Sequence, residues 1–168
     1  MHEPLRITTL TPEDWPRFRS IRLLALQDAP DAFAETLVEA QARREAEWSA
    51  LLARLSGRAG ACLLAHTANT DLGIAIGEAW EGRPDSAGLF ALWVAPEGRR
   101  QGVARMLIRK VADWARLHRF TDLLLEVGAA NAGAIALYSE SEFLPTGARK
   151  SLPPPRAHIV ELEMRLAL

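Results

Sequence analysis

Segment 96–107 (PEGRRQGVARML) places two glycines and three arginines between two apolar stretches. The preceding residues 89–94 (LFALWV) predict a buried strand, and residues 103–117 predict an amphipathic helix. The first amide groups of a helix have no intrahelical partners, and the helix dipole adds about half a positive charge there. Gly102 would let the backbone approach an anion closely because no Cβ intervenes. The turn is therefore a candidate phosphate site, or alternatively a basic loop in solvent.

Two common phosphate-binding motifs are absent from the sequence. It contains neither G-x-x-x-x-G-K-[ST] nor G-x-G-x-x-G, which excludes a P-loop and a Rossmann fingerprint. Twenty Lys and Arg residues against 21 Asp and Glu residues give a net charge of -1, so no global field attracts nucleic acid or an anionic membrane. We therefore expect neither partner, and any phosphate recognition must be local.

Two blocks of the sequence together resemble a known family. Segment 99–104 (RRQGVA) resembles the R/Q-x-x-G-x-G/A signature of the Gcn5-related N-acetyltransferases (GNAT family), and it lies between a strand and a helix as it does there. Segment 131–143 (NAGAIALYSESEF) resembles the family's N-x-x-A-x-x-L-Y-x-x-x-G-F block. The departure is Glu142, where the family usually has Gly. If that position is left-handed, Glu costs about 1 to 2 kcal/mol more than Gly.

The resemblance implies acetyl-CoA as cosubstrate, with its pyrophosphate in the turn and Asn131 beside the pantetheine arm. Arg99 and Arg100 would lie near phosphate oxygens. Tyr138 would lie near the sulfur, where a phenol with a pKa of about 10 can donate to a thiolate of about 8.5. A half-buried structural tyrosine is the alternative. The residues expected to contact the coenzyme are Leu92, Trp93, Val94, Arg99, Arg100, Gln101, Gly102, Val103, Ala104, Asn131, Ala134 and Tyr138.

Acetyl transfer to an amine also needs a base and an oxyanion donor. Glu126 lies in the apolar strand 122–127 (DLLLEV), and a partly buried carboxylate has a raised pKa, which suits a base near neutral pH. Its surroundings also resemble family members that acetylate the N-termini of bacterial ribosomal proteins, where Glu is the base. A solvated or ion-paired Glu126 is the alternative, and Glu78 or ordered water could act instead. The resemblance implies a free backbone N–H at Val94 for the oxyanion.

Hydrophobic periodicity predicts the elements that must position these groups. The middle strands are expected to form an antiparallel meander, and a 39–55 helix is expected to bury Trp48 and Leu52. The whole pattern predicts one GNAT-like α/β domain, residues 1–168, with a mixed, mostly antiparallel sheet of about six or seven strands and about four flanking helices. Strands are predicted at 5–10, 61–67, 72–80, 87–94, 122–127 and 160–166, and helices at 15–26, 39–55, 103–117 and shortly after Asn131.

The composition fits an ordinary folded protein. Of 168 residues, 49% are hydrophobic and 24% charged, which suits one domain with a proper core. Cys62 is the only cysteine, so we expect no internal disulfide, no cysteine-based metal site and a reducing, cytoplasmic setting. The histidines have no metal-site spacing. No apolar run is long enough for a membrane span, and the N-terminal segment lacks a signal-peptide layout.

The acceptor is expected to be a small-molecule or peptide amine that attacks the thioester directly in a ternary complex. By analogy with the family, residues 28–36, 81–86 and 149–158 (RKSLPPPRAH) would wall its site. The last segment could equally be a solvated connection between strands. The alternative functions are a non-catalytic acyl-CoA-binding or sensing module, and a protein-interaction domain that binds no coenzyme. A homodimer is possible, since dimers are common among similar proteins.

Overall fold

A computed structural model describes residues 4–168; residues 1–3, part of the N-terminal segment considered above, lie outside it. Among the described residues, seven strands form one sheet of order β1-β2-β3-β4-β5-β7-β6. The strands are β1 (Arg6–Thr9), β2 (Gly60–His66), β3 (Asp71–Ala79), β4 (Ser86–Val94), β5 (Asp122–Gly128), β6 (Leu144–Ser151) and β7 (Val160–Ala167). The α-helices are α1 (Trp15–Asp28), α2 (Leu37–Ala42), α3 (Glu45–Arg54), α4 (Val103–Leu117) and α5 (Ala132–Glu140).

The predicted mixed, mostly antiparallel sheet is confirmed. Strands β2, β3 and β4 form the expected antiparallel meander. The one parallel pair is β4 with β5, because the chain crosses between them through α4. Strand β7 lies between β5 and β6 and pairs antiparallel with both. The C-terminal ends of β4 and β5 therefore lie at the same edge of the sheet.

The two faces of the sheet are covered differently. Helix α4 buries a stripe that includes Val103, Leu107 and Val111 against one face, where it meets residues of β2 through β5 and β7. Helices α1, α2 and α3 cover the other face, with Trp48 and Leu52 of α3 buried as predicted. This second core contains residues of β2, β3 and β4 but none of β5, β6 or β7. The helices on that side therefore leave part of the sheet open.

The predicted helix 39–55 is wrong as a single element, because the chain breaks it at Arg43 and Arg44. Both residues have extended backbone angles, with ψ of 137° and 162°. The Arg43 guanidinium contacts Glu35, while Glu47 reaches back to accept from the Arg44 N–H at 2.7 Å and so caps the start of α3. Arginine is not among the usual capping residues, so no capping signal in the sequence predicts this break. Among the described residues the fold therefore has five α-helices rather than about four.

Glu35 lies in the link between α1 and α2 and forms ion pairs with Arg22 and Arg43. Arg22 of α1 donates to the Glu35 carboxylate at 3.1 Å through Nε, and its guanidinium lies 4.7 Å from the centre of the Phe33 ring. Burial lowers the pKa of Arg22 to about 10, and the neighbouring charge of Arg43 adds to that effect. Glu35 therefore neutralises a cation that is held away from water.

Glu35→Gln is expected to lower the free energy of unfolding by about 3 kcal/mol, because it leaves the buried Arg22 without its counter-charge. Urea denaturation followed by circular dichroism measures this change. Glu140→Gln is the matched control, since Glu140 pairs with Arg105 at the surface and its loss should change stability by less than about 1 kcal/mol. Equal stabilities of the two variants would show that Glu35 has no special role.

Candidate active site

Strands β4 and β5 separate at the centre of the sheet. Their parallel pairing runs only from Ser86–Asp122 to Gly88–Leu124, and within the described residues no ladder joins them further on. Strand β5 instead pairs along its full length with β7, and β4 continues along β3. A gap therefore opens between the second halves of the two strands. The prediction that 89–94 is a buried strand is only partly right, because Phe90 is 37% exposed where β4 leaves its neighbour.

A bulge in β4 directs main-chain groups into this gap. Between the pairs Ile74–Trp93 and Ile76–Phe90, β4 has one more residue than β3, and Ala91 takes a left-handed φ of 54°. Beyond the bulge, the Ala95 N–H donates to the Leu72 carbonyl at 2.8 Å. Because N–H groups alternate in direction along a strand, the Val94 N–H points to the opposite side, where β5 has moved away. This is the direction that an oxyanion donor at Val94 requires.

The turn after β4 presents a row of amides at the mouth of the gap. Gly102 lies directly before α4 with a left-handed φ of 80°, and a Cβ built there would meet no atom within 4 Å. After Arg99, the first backbone N–H that finds an acceptor within residues 4–168 is that of Met106, which donates to the Gly102 carbonyl at 3.0 Å. The amides from 100 to 105 are therefore available to an anion, as the sequence predicts for this turn.

The two arginines of the turn have different surroundings. The Arg99 guanidinium contacts Asp28 and donates through Nε to the Val94 carbonyl at 3.0 Å, and its backbone N–H donates to Pro96. Trp93 also donates to Asp28, through Nε1 at 2.9 Å, and this bond, before the one from Arg99, holds the pKa of Asp28 low. Nε and one terminal nitrogen of Arg99 are thus used within the chain, and its place near phosphate oxygens stays a prediction. Trp93 is buried and serves packing.

Arg100 is exposed like Arg99, but no ion pair or hydrogen bond within residues 4–168 engages its guanidinium. Its φ of 62° is left-handed. The Gln101 side-chain amide donates to the Glu97 carbonyl at 2.7 Å. Its backbone N–H has no acceptor among residues 4–168. Positive charge at the turn is therefore supplied by Arg100 and by the start of α4.

The loop after β5 reaches the same edge of the sheet and begins α5. Asn131 caps this helix, because its side-chain oxygen accepts from the Ala134 N–H at 3.1 Å. Its amide NH2 keeps two donors for another partner. The helix ends at Glu140, and two residues further on Glu142 has a φ of 70°, so this position is left-handed although it lacks glycine. Phe143 then enters the core at 1% exposure.

Tyr138 lies on α5 with its ring packed against the core. The ring meets Phe143 edge-on, with 5.9 Å between centroids. Burial raises the pKa of Tyr138 to about 12. The hydroxyl has no hydrogen-bond partner among residues 4–168, so the structure shows no need for it in the fold. A phenol in this state stays protonated throughout the neutral range and can only donate or accept a hydrogen bond.

Glu126 lies on the sheet face that the helices leave open. Directly paired residues of an antiparallel ladder share a face, and β5 pairs Glu126 with Glu163 and Gly128 with Glu161. We call the patch formed by Glu126, Glu161 and Glu163 the acidic face. The Lys150 ammonium of β6 contacts Glu126, so the alternative of an ion-paired Glu126 describes the free protein.

Glu78, the second candidate base, is placed differently. It pairs with Gly88, where β4 and β5 are still joined, and its carboxylate lies 3.5 Å from the Arg54 guanidinium of α3. Glu126 is two residues beyond Leu124, the last β5 residue paired with β4, and so borders the gap. Of the two carboxylates, Glu126 is therefore the one at the opening.

The three expected acceptor walls meet around the acidic face. Arg156, in the loop between β6 and β7, donates to the carbonyls of Pro30, Phe33 and Ala34 at 2.7 to 2.8 Å and so fastens that loop to the link between α1 and α2. Arg83, from the turn between β3 and β4, lies 3.1 Å from a Glu163 carboxylate oxygen. Sequence reasoning missed these two contacts, since neither arginine belongs to a motif.

Known proteins share this architecture. The model of the acetyltransferase (GNAT) family matches residues 11–143, and the chain belongs to that family. A ribosomal-protein-alanine N-acetyltransferase structure from Brucella melitensis has a TM-score of 0.77 at 24% identity, covering 97% of this chain and 99% of the other. A Salmonella typhimurium acetyltransferase structure with acetyl-CoA has a TM-score of 0.79 at 17% identity, covering 98% and 94%. At these identities the likeness concerns the fold.

Sequence relatives match over shorter segments. The Escherichia coli ribosomal protein bS18-alanine N-acetyltransferase is 39% identical over 70 residues, which cover 42% of this chain and 47% of that protein. The chain thus spans half or less of the length of the curated relatives that it matches. Among residues 4–168, none of the helices combines the length and apolar character needed to cross a bilayer.

Proposed function

We propose that this protein is an N-acetyltransferase that moves an acetyl group from acetyl-CoA to a primary amine by direct attack in a ternary complex. The observation that carries the proposal is the row of unpaired amides around Gly102, at the mouth of the gap between β4 and β5. Such a row fits a diphosphate, because several N–H donors and a helix N-terminus converge on one side of the turn. Asn131 caps the start of α5, the helix that follows β5 at that edge and carries Tyr138.

Each chemical role has a candidate in this arrangement. Bound in the gap, acetyl-CoA would supply an acetyl group activated as a thioester. Glu126 would take a proton from the acceptor's ammonium, and the freed lone pair would attack the carbonyl carbon. The Val94 N–H would donate to the carbonyl oxygen as negative charge grows there. Tyr138 would donate a hydrogen bond to the sulfur as the C–S bond breaks, and the second proton of the attacking nitrogen would pass through solvent to the thiolate, so that the amide and free CoA thiol result.

The raised pKa of Tyr138 refines its role. A thiol of pKa about 8.5 is a stronger acid than this phenol, so a hydrogen bond to the leaving thiolate is favoured over complete proton transfer. Because the pKa of the folded phenol is about 12, it stays protonated at every pH of an ordinary assay. Tyr138 should therefore produce no loss of activity on the alkaline side below about pH 11.

The acceptor remains a small-molecule or peptide amine in this proposal. The similarity to the enzyme that acetylates the alanine of bS18 supports including peptides that begin with alanine among the amines tested. Release of free thiol from acetyl-CoA, measured with a panel of primary amines, tests the activity. Binding of acetyl-CoA without thiol release above the blank would instead support the non-catalytic sensing module.

Glu126→Gln is expected to lower kcat at pH 7 by about 30-fold with an unchanged Kd for acetyl-CoA. This is less than the hundredfold or more that a general base can contribute, because Glu161 and Glu163 remain nearby. Glu78→Gln is the matched control and should keep kcat within about twofold, since Glu78 lies where the strands are still joined. If both variants keep the wild-type kcat, neither carboxylate is the base.

A further inference from the structure

Lys150 stands between two carboxylates of the acidic face. Its ammonium contacts Glu126 and lies 3.8 Å from the Glu161 carboxylate. The Lys150 side chain is about half exposed, whereas the side chain of Glu161 is only 10% exposed. These groups line a small cavity of about 130 Å³ that Glu163 and Arg149 also border. The cation can therefore move between two acceptors without leaving the site.

Two other charged residues near this cavity, Glu163 and Arg156, have their own partners, whereas Arg149 borders the cavity with no partner among residues 4–168. Arg83 pairs with Glu163 at 3.1 Å, and the Thr146 hydroxyl donates to the same carboxylate at 3.0 Å. Arg156 is held by three carbonyls of the α1–α2 link, although its charge still acts on Glu161. Lys150 is thus the cation that Glu126 and Glu161 share.

The ion pair between Glu161 and Lys150 is long, at 3.8 Å. Its pKa is raised first by burial, while Lys150 and Arg156 lower it and the charge of Glu126 raises it. The ionised form of such a buried carboxylate is stabilised when a full positive charge comes closer. It is therefore a suitable second partner for Lys150.

We propose that Lys150 and Glu161 are positioning residues for Glu126: Lys150 is the ion-pair partner of Glu126 in the free enzyme and moves to Glu161 when the acceptor's ammonium takes its place. The inference rests on the proposed role of Glu126 as the base. A primary ammonium and the lysine ammonium carry the same charge and the same three donors. The acceptor then loses one proton to Glu126, and Lys150 stays protonated throughout.

Two substitutions should act in opposite directions. Lys150→Met removes the cation that contacts Glu126 and competes there with the acceptor's ammonium, so it should move the acidic limb of the kcat/KM profile up by about one pH unit and lower KM about threefold. Glu161→Gln removes a neighbouring anion and the second partner of Lys150. It should move that limb down by about half a pH unit and raise KM about threefold. Lys150→Arg should restore wild-type behaviour.

A readout without turnover makes the test independent of the acceptor. The side-chain carboxyl of Glu126 is titrated by 13C NMR in protein labelled on glutamate, with Glu126→Gln used to assign its signal. The inference requires opposite displacements of this titration in Lys150→Met and Glu161→Gln. Displacements in one direction, or none in either variant, would overturn it.

The outcome separates this inference from the proposed function. If Glu126→Gln impairs turnover while the two other variants leave the Glu126 titration unmoved, only the role of Lys150 and Glu161 is lost. If Glu126→Gln has no effect on turnover, the assignment of the base fails first. Circular dichroism of each variant shows whether its fold is intact.

Discussion

Gly102→Val is expected to weaken acetyl-CoA binding about 100-fold, the largest effect on affinity of any single substitution considered. The valine side chain would lie where the amides of the turn must approach the diphosphate. Loss of one or two charge-assisted hydrogen bonds, about 1.5 to 3 kcal/mol each, corresponds to roughly that factor. Isothermal titration calorimetry with acetyl-CoA and with free CoA measures it.

The matched control is Gly57→Val. Gly57 also has a left-handed φ, of 56°, and a Cβ built there likewise meets nothing within 4 Å. Both variants should therefore share a backbone strain of about 1 to 2 kcal/mol, but only the change at Gly102 touches the candidate site. If Gly102→Val binds acetyl-CoA as tightly as Gly57→Val, the coenzyme does not lie on this turn.

Tyr138→Phe is expected to lower kcat by about 100-fold while the Kd for acetyl-CoA changes less than threefold. The hydroxyl would act on the sulfur only as the C–S bond breaks, and one preorganised donor of this kind contributes a factor of about 100 to 1,000. On the proposed function, binding of the coenzyme would depend instead on the turn around Gly102 and on Asn131. Thiol release under saturating acetyl-CoA gives kcat, and calorimetry gives Kd.

Stability provides the control for Tyr138→Phe. The hydroxyl has no partner among residues 4–168 and the ring is retained, so the free energy of unfolding should stay within about 0.5 kcal/mol of wild type. A slow enzyme with wild-type stability and affinity would assign the hydroxyl to the transfer step. An unchanged kcat would return Tyr138 to a structural role beside Phe143.

Much of the fold follows from the sequence because its elements are strongly periodic. The boundaries of α4 agree with the predicted 103–117, and β2, β3 and β4 agree within one residue. The left-handed position of Glu142 could be foreseen because a motif that usually has glycine marks it. Local pattern and global structure agree in these places, which makes them predictable.

The site is less predictable where long-range contacts decide the position of a side chain. The Arg99 side chain contacts Asp28, which is 71 residues away in sequence, and no local pattern around Arg99 predicts this pairing. Lys150 reaches Glu126 only because β7 places β6 and β5 on either side of itself. The opening of β4 at Phe90 depends on the shortness of the β4–β5 ladder, which no periodicity records. Such contacts depend on how distant segments are arranged in the fold, so no single segment of the sequence predicts them.

The fastening of the β6–β7 loop by Arg156 has a consequence for how this chain differs from its family. The family match ends at residue 143, before Lys150, Arg156 and Glu161. The portion that it covers includes the turn proposed to bind the coenzyme and Tyr138, whereas the last 25 residues would supply one wall of the proposed acceptor region. Acceptor preference can therefore diverge in this segment. A chimera that carries residues 144–168 of a relative should take on the relative's acceptor preference and keep the same affinity for acetyl-CoA.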